Sequence, residues 1–454
     1  MAQIRPHTLS GFMELLPAPQ AQMEAIMDIL RKTYSLYGFC ALDTPAIEAA
    51  DVLLAKGGGE TEKQIYRFQK GDSDLALRFD LTVPLAKYVA LHYNELSFPF
   101  RRYQIGKVYR GERAQRGRFR EFYQADIDII GDGKLSIVNE AEIPSIIYRT
   151  FRTMGLKRFQ IRVNNRKILN GFYAMLGLSE KSGDIMRTVD KLDKIGADEV
   201  AKLLVEGCGA DENQARACLE LAELTAADGA ELSGKFDTLC EKHGIANDSE
   251  AYVLARQGLD TLAMIVDEAA RIRPGSVIAD LKIARGLDYY TGSVYETFLD
   301  GAASLGSICS GGRYDNLASQ GNRKYPGVGL SIGLSRLVSY MLHTAGAHAN
   351  RVSPASVLVA VWNEEDRSAS NLIANQLRAR GIAADVAPTA AKLGKQIKYA
   401  DKLGIPYVWF PADDSAQDAS DEVKNIITGD QQPADAQSWE PDTVYAQQTV
   451  TVEA

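Results

Sequence analysis

At 454 residues the chain can hold two or three domains, each with its own core, and 46% apolar with 24% charged residues is ordinary globular composition. No run of about 18 apolar residues occurs and the start MAQIRPHTLSGFMELLP lacks the apolar centre of a signal peptide, so no membrane span and a cytoplasmic location are expected. The net charge of −8 argues against a generally basic nucleic-acid binder, and the five scattered cysteines, with no CxxC pair, argue against a disulfide framework or a structural zinc site.

The charge is unevenly spread. Residues 355–454 carry 15 acids and 8 bases, leaving the first 354 residues close to neutral. Any basic patch must be local, and residues 101–120 form one, with eight Lys/Arg against the single Glu112.

In chain order, Met23, Ile26, Met27, Leu30, Tyr34 and Tyr37 recur at helical spacing after Pro17 and Pro19. GFCALDTPAIEAADVLL reads as a strand broken at Pro45, and YRFQK and LALRFDL flank the turn GDSD as a hairpin. PLAKYVALHYNEL is helical, the arginine-rich stretch is strand, loop, strand, and EAEIPSIIYRTFRTMGL is a helix ending near Gly155. Residues 165–271 change texture: DEVAKLLVEG, DENQARACLELAELT and SEAYVLARQGLDTLAMIVDEA pair capping residues with helical periodicity, giving a helical insertion domain. Strand character returns in VIADLKIARGLDYYTGSVYETFL and GSICSGGRYD. Residues 343–356 are small and polar, a linker, and 357–454 alternate strand and helix as a compact, mainly parallel α/β domain with an acidic loop, PADDSAQDASDE. Residues 1–164 and 272–342 then form a split α+β domain.

The stretch YRGERAQRGRFREFYQADIDI, Tyr109 to Ile129, carries the chemistry. Side chains alternate along a strand, so Arg118, Arg120, Phe122, Gln124, Asp126 and Asp128 share one face, as do Arg110 and Glu112 on the incoming strand. Arg118 and Asp128 lie about 33 Å apart at roughly 3.3 Å per residue, enough for an elongated ligand with a polyanionic end and a donor-bearing end. Arginine forks grip phosphate and stay charged, while carboxylates suit an amine or a ring N–H. The plainer alternative is a solvated hairpin with cross-strand ion pairs, each worth under about 1 kcal/mol. ARGLDYYTGSVYE adds Arg285, Tyr289 and Tyr290, and GSICSGGRYD supplies paired glycines for close backbone approach before Tyr314. GVGLSIGLSRL is spaced GxGxxxG with no acid about 20 residues on, so it reads as close strand–helix packing with Arg336 projecting rather than a dinucleotide fingerprint.

These motifs resemble the histidyl-tRNA synthetase family of class II aminoacyl-tRNA synthetases over nearly the whole chain. TPAIE, YRGER with GRFREFYQADIDIIG, and GVGLSIGLSRL are similar to the three class motifs; ARGLDYYTG and SGGRYD are similar to the two signatures of the histidine family. LRFDLTVP resembles its amino-acid loop in a form with Asp80, where many bacterial-type members carry glutamate. The resemblance implies an antiparallel class II catalytic sheet with helices, and histidine activation by ATP and Mg²⁺ followed by transfer to tRNA(His). It assigns Arg110 and Arg285 to the α-phosphate and substrate carboxylate, and Glu112 and Phe122 to adenine. Arg118 and Arg336 fall to the outer phosphates, and Asp80, Thr82 and Gln124 to the histidine amino end. Asp128 and Tyr290 are assigned to the two ring nitrogens, with Tyr289 and Tyr314 closing the pocket. No metal-ligating side chain is assigned. A homodimer built through the TPAIE strand is implied, as is anticodon binding by 357–454 through local cations such as Lys392, Lys395, Lys398 and Lys402. Two rivals are weaker. The regulatory subunit of ATP phosphoribosyltransferase lacks the C-terminal domain and typically loses RGLDYYTG, and an uncharged-tRNA sensor would belong to a kinase chain.

Overall fold

The computed structural model describes residues 5–54, 62–113, 117–284, 289–319, 323–412, 420–446 and the backbone of 449–450. The chain divides into two compact units, one of residues 1–13, 27–340 and 453–454, the other of 14–26 and 341–452.

The first unit is organised by a mixed sheet of nine strands. They are β1 (Cys40–Ala41), β5 (Phe100–Tyr109), β6 (Glu121–Ile130), β7 (Phe159–Asn165), β8 (Thr225–Ala226), β9 (Val277–Asp280), β10 (Ser293–Leu299), β11 (Cys309–Tyr314) and β12 (Gly327–Ile332). Their spatial order is β1-β5-β6-β12-β11-β10-β7-β9-β8. A second sheet joins β2 (Ile47–Ala49), β3 (Arg67–Lys70) and β4 (Ser73–Leu77), where β3 and β4 are the hairpin expected around GDSD.

The long β5–β6 hairpin is the centre of the unit. On β5 every second residue is buried, the period-2 pattern of a strand with one face in the core. β6 is buried from Gln124 to Ile130 because it is covered on both faces, yet its buried set includes Gln124, Asp126 and Asp128 among isoleucines. Polar groups in such a place must meet partners or a ligand.

The segment between β7 and β9 is largely helical, as its caps predict. Asn165 accepts from the Lys167 amide at 3.0 Å and Ser249 from the Tyr252 amide at 3.1 Å, while Asp211 and Gln214 form a reciprocal capping box. The 23-residue helix Glu250–Ile272 crosses helix Arg166–Met175 closely at Gly171, where a Cβ would stand 2.6 Å from the Ala251 carbonyl oxygen. One feature departs from the helical pattern: Thr225–Ala226 leaves the helices to add β8 to the main sheet, antiparallel to β9. Two residues are too few to show periodicity, so this strand has no sequence signature.

The second unit holds a five-stranded sheet of β14 (Val357–Val359), β15 (Ala384–Val386), β16 (Tyr407–Phe410), β17 (Glu422–Asn425) and β18 (Gln431–Pro433), ordered β15-β14-β16-β17-β18. β15, β14 and β16 are parallel, and the polar chain after Phe410 returns as the antiparallel pair β17 and β18. Trp409 is fully buried and its indole N–H donates to Asp421 at 2.9 Å, which fixes this return to the parallel core. β13 (His348–Ala349) pairs with β19 (Thr449–Val450).

Candidate active site

Two adjoining cavities open along the β6 face, one of about 390 Å³ and one of about 140 Å³, with Arg110, Gln124, Ser310 and Ser331 bordering both. The larger is walled by Asp80, Thr82, Asp126, Asp128, Tyr289, Tyr290 and Tyr314; the smaller by Glu112, Arg118, Phe122 and Arg336. Twelve of the thirteen site residues expected from the sequence therefore come together here. The thirteenth, Arg285, lies outside the described residues.

The larger cavity is lined by buried carboxylates. Register places Asp128 opposite Arg102 on β5 and opposite Gly329 on β12. Arg102 is fully buried, and its Nη2 lies 2.6 Å from Asp128 Oδ2 and donates to the Leu81 carbonyl at 3.2 Å. The contact with Oδ2 is a charge pair without hydrogen-bond alignment, so that oxygen keeps an accepting direction open. Oδ1 accepts from the Tyr314 hydroxyl at 2.6 Å. Gly329 is required here: a Cβ would stand 2.2 Å from Asp128 Oδ1 and 2.6 Å from the Ile127 carbonyl oxygen. Gly312 likewise leaves room for the Tyr290 ring, 2.9 Å from where its Cβ would be. Tyr289 meets Tyr290 and Tyr314 edge-on at centroid distances of 5.1 and 5.8 Å.

Burial raises both β6 carboxylates. Asp128 is pushed up to about 6, with Arg102 and the Tyr314 hydroxyl pulling the other way. Asp126 is pushed up to about 7, against Arg102 and further by the neighbouring Asp128 charge. At the rim, Asp80 Oδ1 accepts from the Val83 amide at 2.9 Å at the start of helix Thr82–Leu91, and its carboxyl is also raised by burial.

Arg110 joins the cavities. Its guanidinium lies between two rings, 4.3 Å from the Phe79 centroid and 5.1 Å from that of Phe122, and its Nε donates to the Phe79 carbonyl at 3.3 Å. In the smaller cavity the cations are wetter. Arg118 is half exposed and 3.4 Å from Glu112. Arg336 donates to the carbonyls of Gly117, Leu305 and Ser307 at 2.9, 3.2 and 3.3 Å. Burial lowers its pKa, and the Arg118 charge lowers it further. Two guanidiniums near each other, with only the Glu112 carboxylate to balance them among the described residues, make a place for a polyanion.

A further network holds the tyrosine wall. Arg313 Nη1 donates to Glu140 at 2.6 Å, Ser293 donates to the same carboxylate at 2.6 Å, and Arg166 donates to the Tyr290 carbonyl at 2.9 Å. Sequence reading missed Arg102, Ser310 and Ser331 as site residues. Arg102 was counted into the basic patch, although its even position on β5 puts it on the buried face with Gln104. The serines carry no signal beyond that same alternation.

The chain is similar to known proteins over nearly its whole length. Residues 11–337 match the family model described as histidyl-tRNA synthetase, and residues 356–439 match that of an anticodon binding domain. The chain is 68% identical to the histidine–tRNA ligase of Bifidobacterium longum subsp. infantis, covering 98% of this chain and 99% of that one. It is 47% identical to that of Clostridium tetani over 94% of this chain and 96% of the other. A crystal structure of histidyl-tRNA synthetase from Nostoc sp. PCC 7120 is similar at a TM-score of 0.83 and 36% identity, over 96% of this chain and 98% of that one. The chain belongs to the histidyl-tRNA synthetase family.

Proposed function

We propose that the chain is a histidine–tRNA ligase, which joins L-histidine to ATP as histidyl-adenylate and then transfers the histidyl group to the 3′ end of tRNA(His). The observation that carries this is the continuity of a carboxylate-lined pocket and an arginine-lined one through the single guanidinium of Arg110. Within it, Asp80, Thr82 and Gln124 hold the amino end of histidine, and Asp128 and Tyr290 face the ring nitrogens with Tyr289 and Tyr314 around them. Glu112 and Phe122 take the adenine, and Arg118 and Arg336 the outer phosphates.

The substrate carboxylate attacks the α-phosphorus and pyrophosphate leaves; a terminal ribose hydroxyl of the tRNA then attacks the acyl carbon and AMP leaves. The nucleophile comes with the substrate, so the protein's task is alignment and neutralisation of charge on phosphoryl oxygens. Arg110 is placed for this, and the family pattern adds Arg285. ATP would enter as its Mg²⁺ complex, the metal supplying charge neutralisation on the polyphosphate. Histidine selectivity follows from leaving the Asp128 pocket unsatisfied when a ring without nitrogens enters.

The second unit suits an anticodon arm. Lys392, Lys395, Lys398 and Lys402 are exposed and spaced along helix Leu393–Leu403 and its cap, a phosphate-facing row in an otherwise acidic unit. A homodimer through the TPAIE strand is supported by the exposed apolar Ile47 on β2 and Phe68 on β3, the two outer strands of the three-stranded sheet. No helix among the described residues is long and apolar enough to cross a membrane, in keeping with a cytoplasmic enzyme. Histidine-dependent ATP–pyrophosphate exchange with the purified chain, followed by charging of tRNA(His), tests the assignment. Exchange driven equally by another amino acid overturns it, and a fully active monomer on sedimentation overturns the dimer.

A further inference from the structure

Between Gln124 and Asp128 on β6 stands Asp126, to which none of these roles falls. It is 2% exposed, borders the larger cavity, and its Oδ1 is buried with no hydrogen-bond partner in the protein. The Ser331 hydroxyl, which accepts from Gln124 at 2.6 Å, hydrogen-bonds the Asp126 carboxyl from β12, and Gln104 lies opposite on β5. Tyr34 and Cys309 feel its charge from the core side, Asp80 and Tyr290 from the cavity side, and Glu296 borders the same cavity from β10. Arg102 is its main countercharge and is already committed to Asp128.

The charges of a bound amino acid make the deficit explicit. On the reading above, the substrate's ammonium is matched by Asp80 and its carboxylate by Arg110. What remains around the ring is Asp126 and Asp128 with Arg102 as their main countercharge; Arg110 also faces Asp126 but is shared with Asp80, Glu112 and the substrate carboxylate. A buried carboxylate without a countercharge is costly, and a ring that can accept a proton supplies one. We propose that Asp126 is a specificity-determining residue that makes this pocket take the substrate's ring as imidazolium, so that one proton is bound along with histidine above neutral pH. This inference rests on histidine being the substrate of the Asp128 pocket.

The proton comes from solvent onto the free ring nitrogen, and no covalent bond other than that N–H changes. The sign follows from linkage. At pH 8 free Asp126, raised to about 7, is largely ionised and the free ring, with an ordinary value of about 6.5, is neutral. Forming the imidazolium–carboxylate pair then takes up about one proton. At pH 5.5 Asp126, Asp128 and the free ring are mostly protonated, so the same pair forms with proton release.

The test is titration calorimetry of the full-length protein with L-histidine in buffers of differing ionisation enthalpy, which counts protons exchanged per site. The expected result is uptake of about one proton at pH 8, a change to release by pH 5.5, and uptake near zero at pH 8 for Asp126→Asn. The ammonium's own contribution is common to both proteins and cancels in the difference. If Asp126→Asn does not fold, Asp128→Asn decides: proton uptake at pH 8 that persists there belongs to Asp126, and its loss overturns the proposal. A native protein with no uptake at pH 8, or a folded Asp126→Asn with undiminished uptake, overturns the proposal. Failure of the histidine-pocket reading itself would look different, as absent histidine binding and no histidine-dependent exchange.

Discussion

At the Arg118 end of the cleft the cations stay partly in water, Arg118 beside Glu112 and Arg336 on backbone carbonyls, whereas at the Asp128 end the carboxylates of Asp80, Asp126 and Asp128 and the guanidinium of Arg102 are buried. Arg118 is about half exposed, while the Arg102–Asp128 pair is 0% and 3% exposed. A polyphosphate brings its own charge and needs only matching cations with freedom to adjust, so wet arginines suffice. A small ring with two nitrogens offers little charge, so discrimination has to come from dry groups that are costly to leave unpaired. The difference predicts that substitutions at the dry end act on one substrate steeply, and those at the wet end gently and with salt dependence.

Arg110 belongs to both ends and should show the largest effect. Arg110→Ala should lower kcat/KM for histidine-dependent exchange by about 10²–10³-fold, the loss of one preorganised charge at the reacting phosphoryl group. Both substrates should be affected; a loss confined to ATP binding would place Arg110 wholly in the wet half.

Asp128→Asn is next, weakening histidine use by about 2–4 kcal/mol through loss of a buried charge-assisted hydrogen bond. Were Asp128 only the neutraliser of a structural arginine, Arg162 on β7 would be a candidate partner. The structure instead pairs Arg162 with Asp280 at 2.8 Å and gives Asp128 to Arg102. Some loss of melting temperature is therefore expected with the histidine defect, and the ATP constant decides: it should stay unchanged. Equal losses for both substrates would make Asp128 a structural anchor.

That pairing shows where sequence reading ran out. The alternating face Phe122, Gln124, Asp128 was legible because a strand's period is fixed by its backbone. The family motifs brought Asp80, Tyr290, Tyr314 and Arg336 to the same place. The partner of Asp128 was not legible, because cross-strand register depends on how many residues the hairpin loop spends, and the segment 111–120 carries no turn signature that sets it. The same limit hid Ser331, while β8 was hidden by being only two residues long. Helices were read well for the opposite reason: their caps and stripes, as at Asp211 and Ser249, are local.

Asp126 sharpens the comparison through stability. Its value in the folded protein is about 7, above the unfolded value of about 3.9, so the folded state binds more protons over that range. Stability from this group is therefore present below about pH 4 and is lost as pH rises toward 7. Asparagine has no proton to lose, so without histidine Asp126→Asn should melt several degrees above the native protein at pH 8. The gap should close by pH 4. An equal or lower melting point at pH 8 would mean that the dry end tolerates the second carboxylate at no cost.

Arg118 should give the smallest effect, and its size tests the wet half directly. The side chain is half in solvent and its pairing with Glu112, at 3.4 Å, is long. Exposed charge contacts of this kind are worth about 1 kcal/mol or less, so Arg118→Ala should raise the KM for ATP no more than about fivefold and leave that for histidine alone. Because the Debye length shrinks from about 10 Å at 0.1 M salt to about 3 Å at 1 M, the difference between mutant and native protein should fade as salt is added. The Arg110→Ala defect should persist under the same conditions, since that guanidinium lies between Phe79 and Phe122, out of reach of most screening ions. An Arg118→Ala defect as large and as salt-resistant as that of Arg110→Ala would show that the phosphate end closes and dries when ATP binds, and the contrast between the two ends would then hold only for the empty protein.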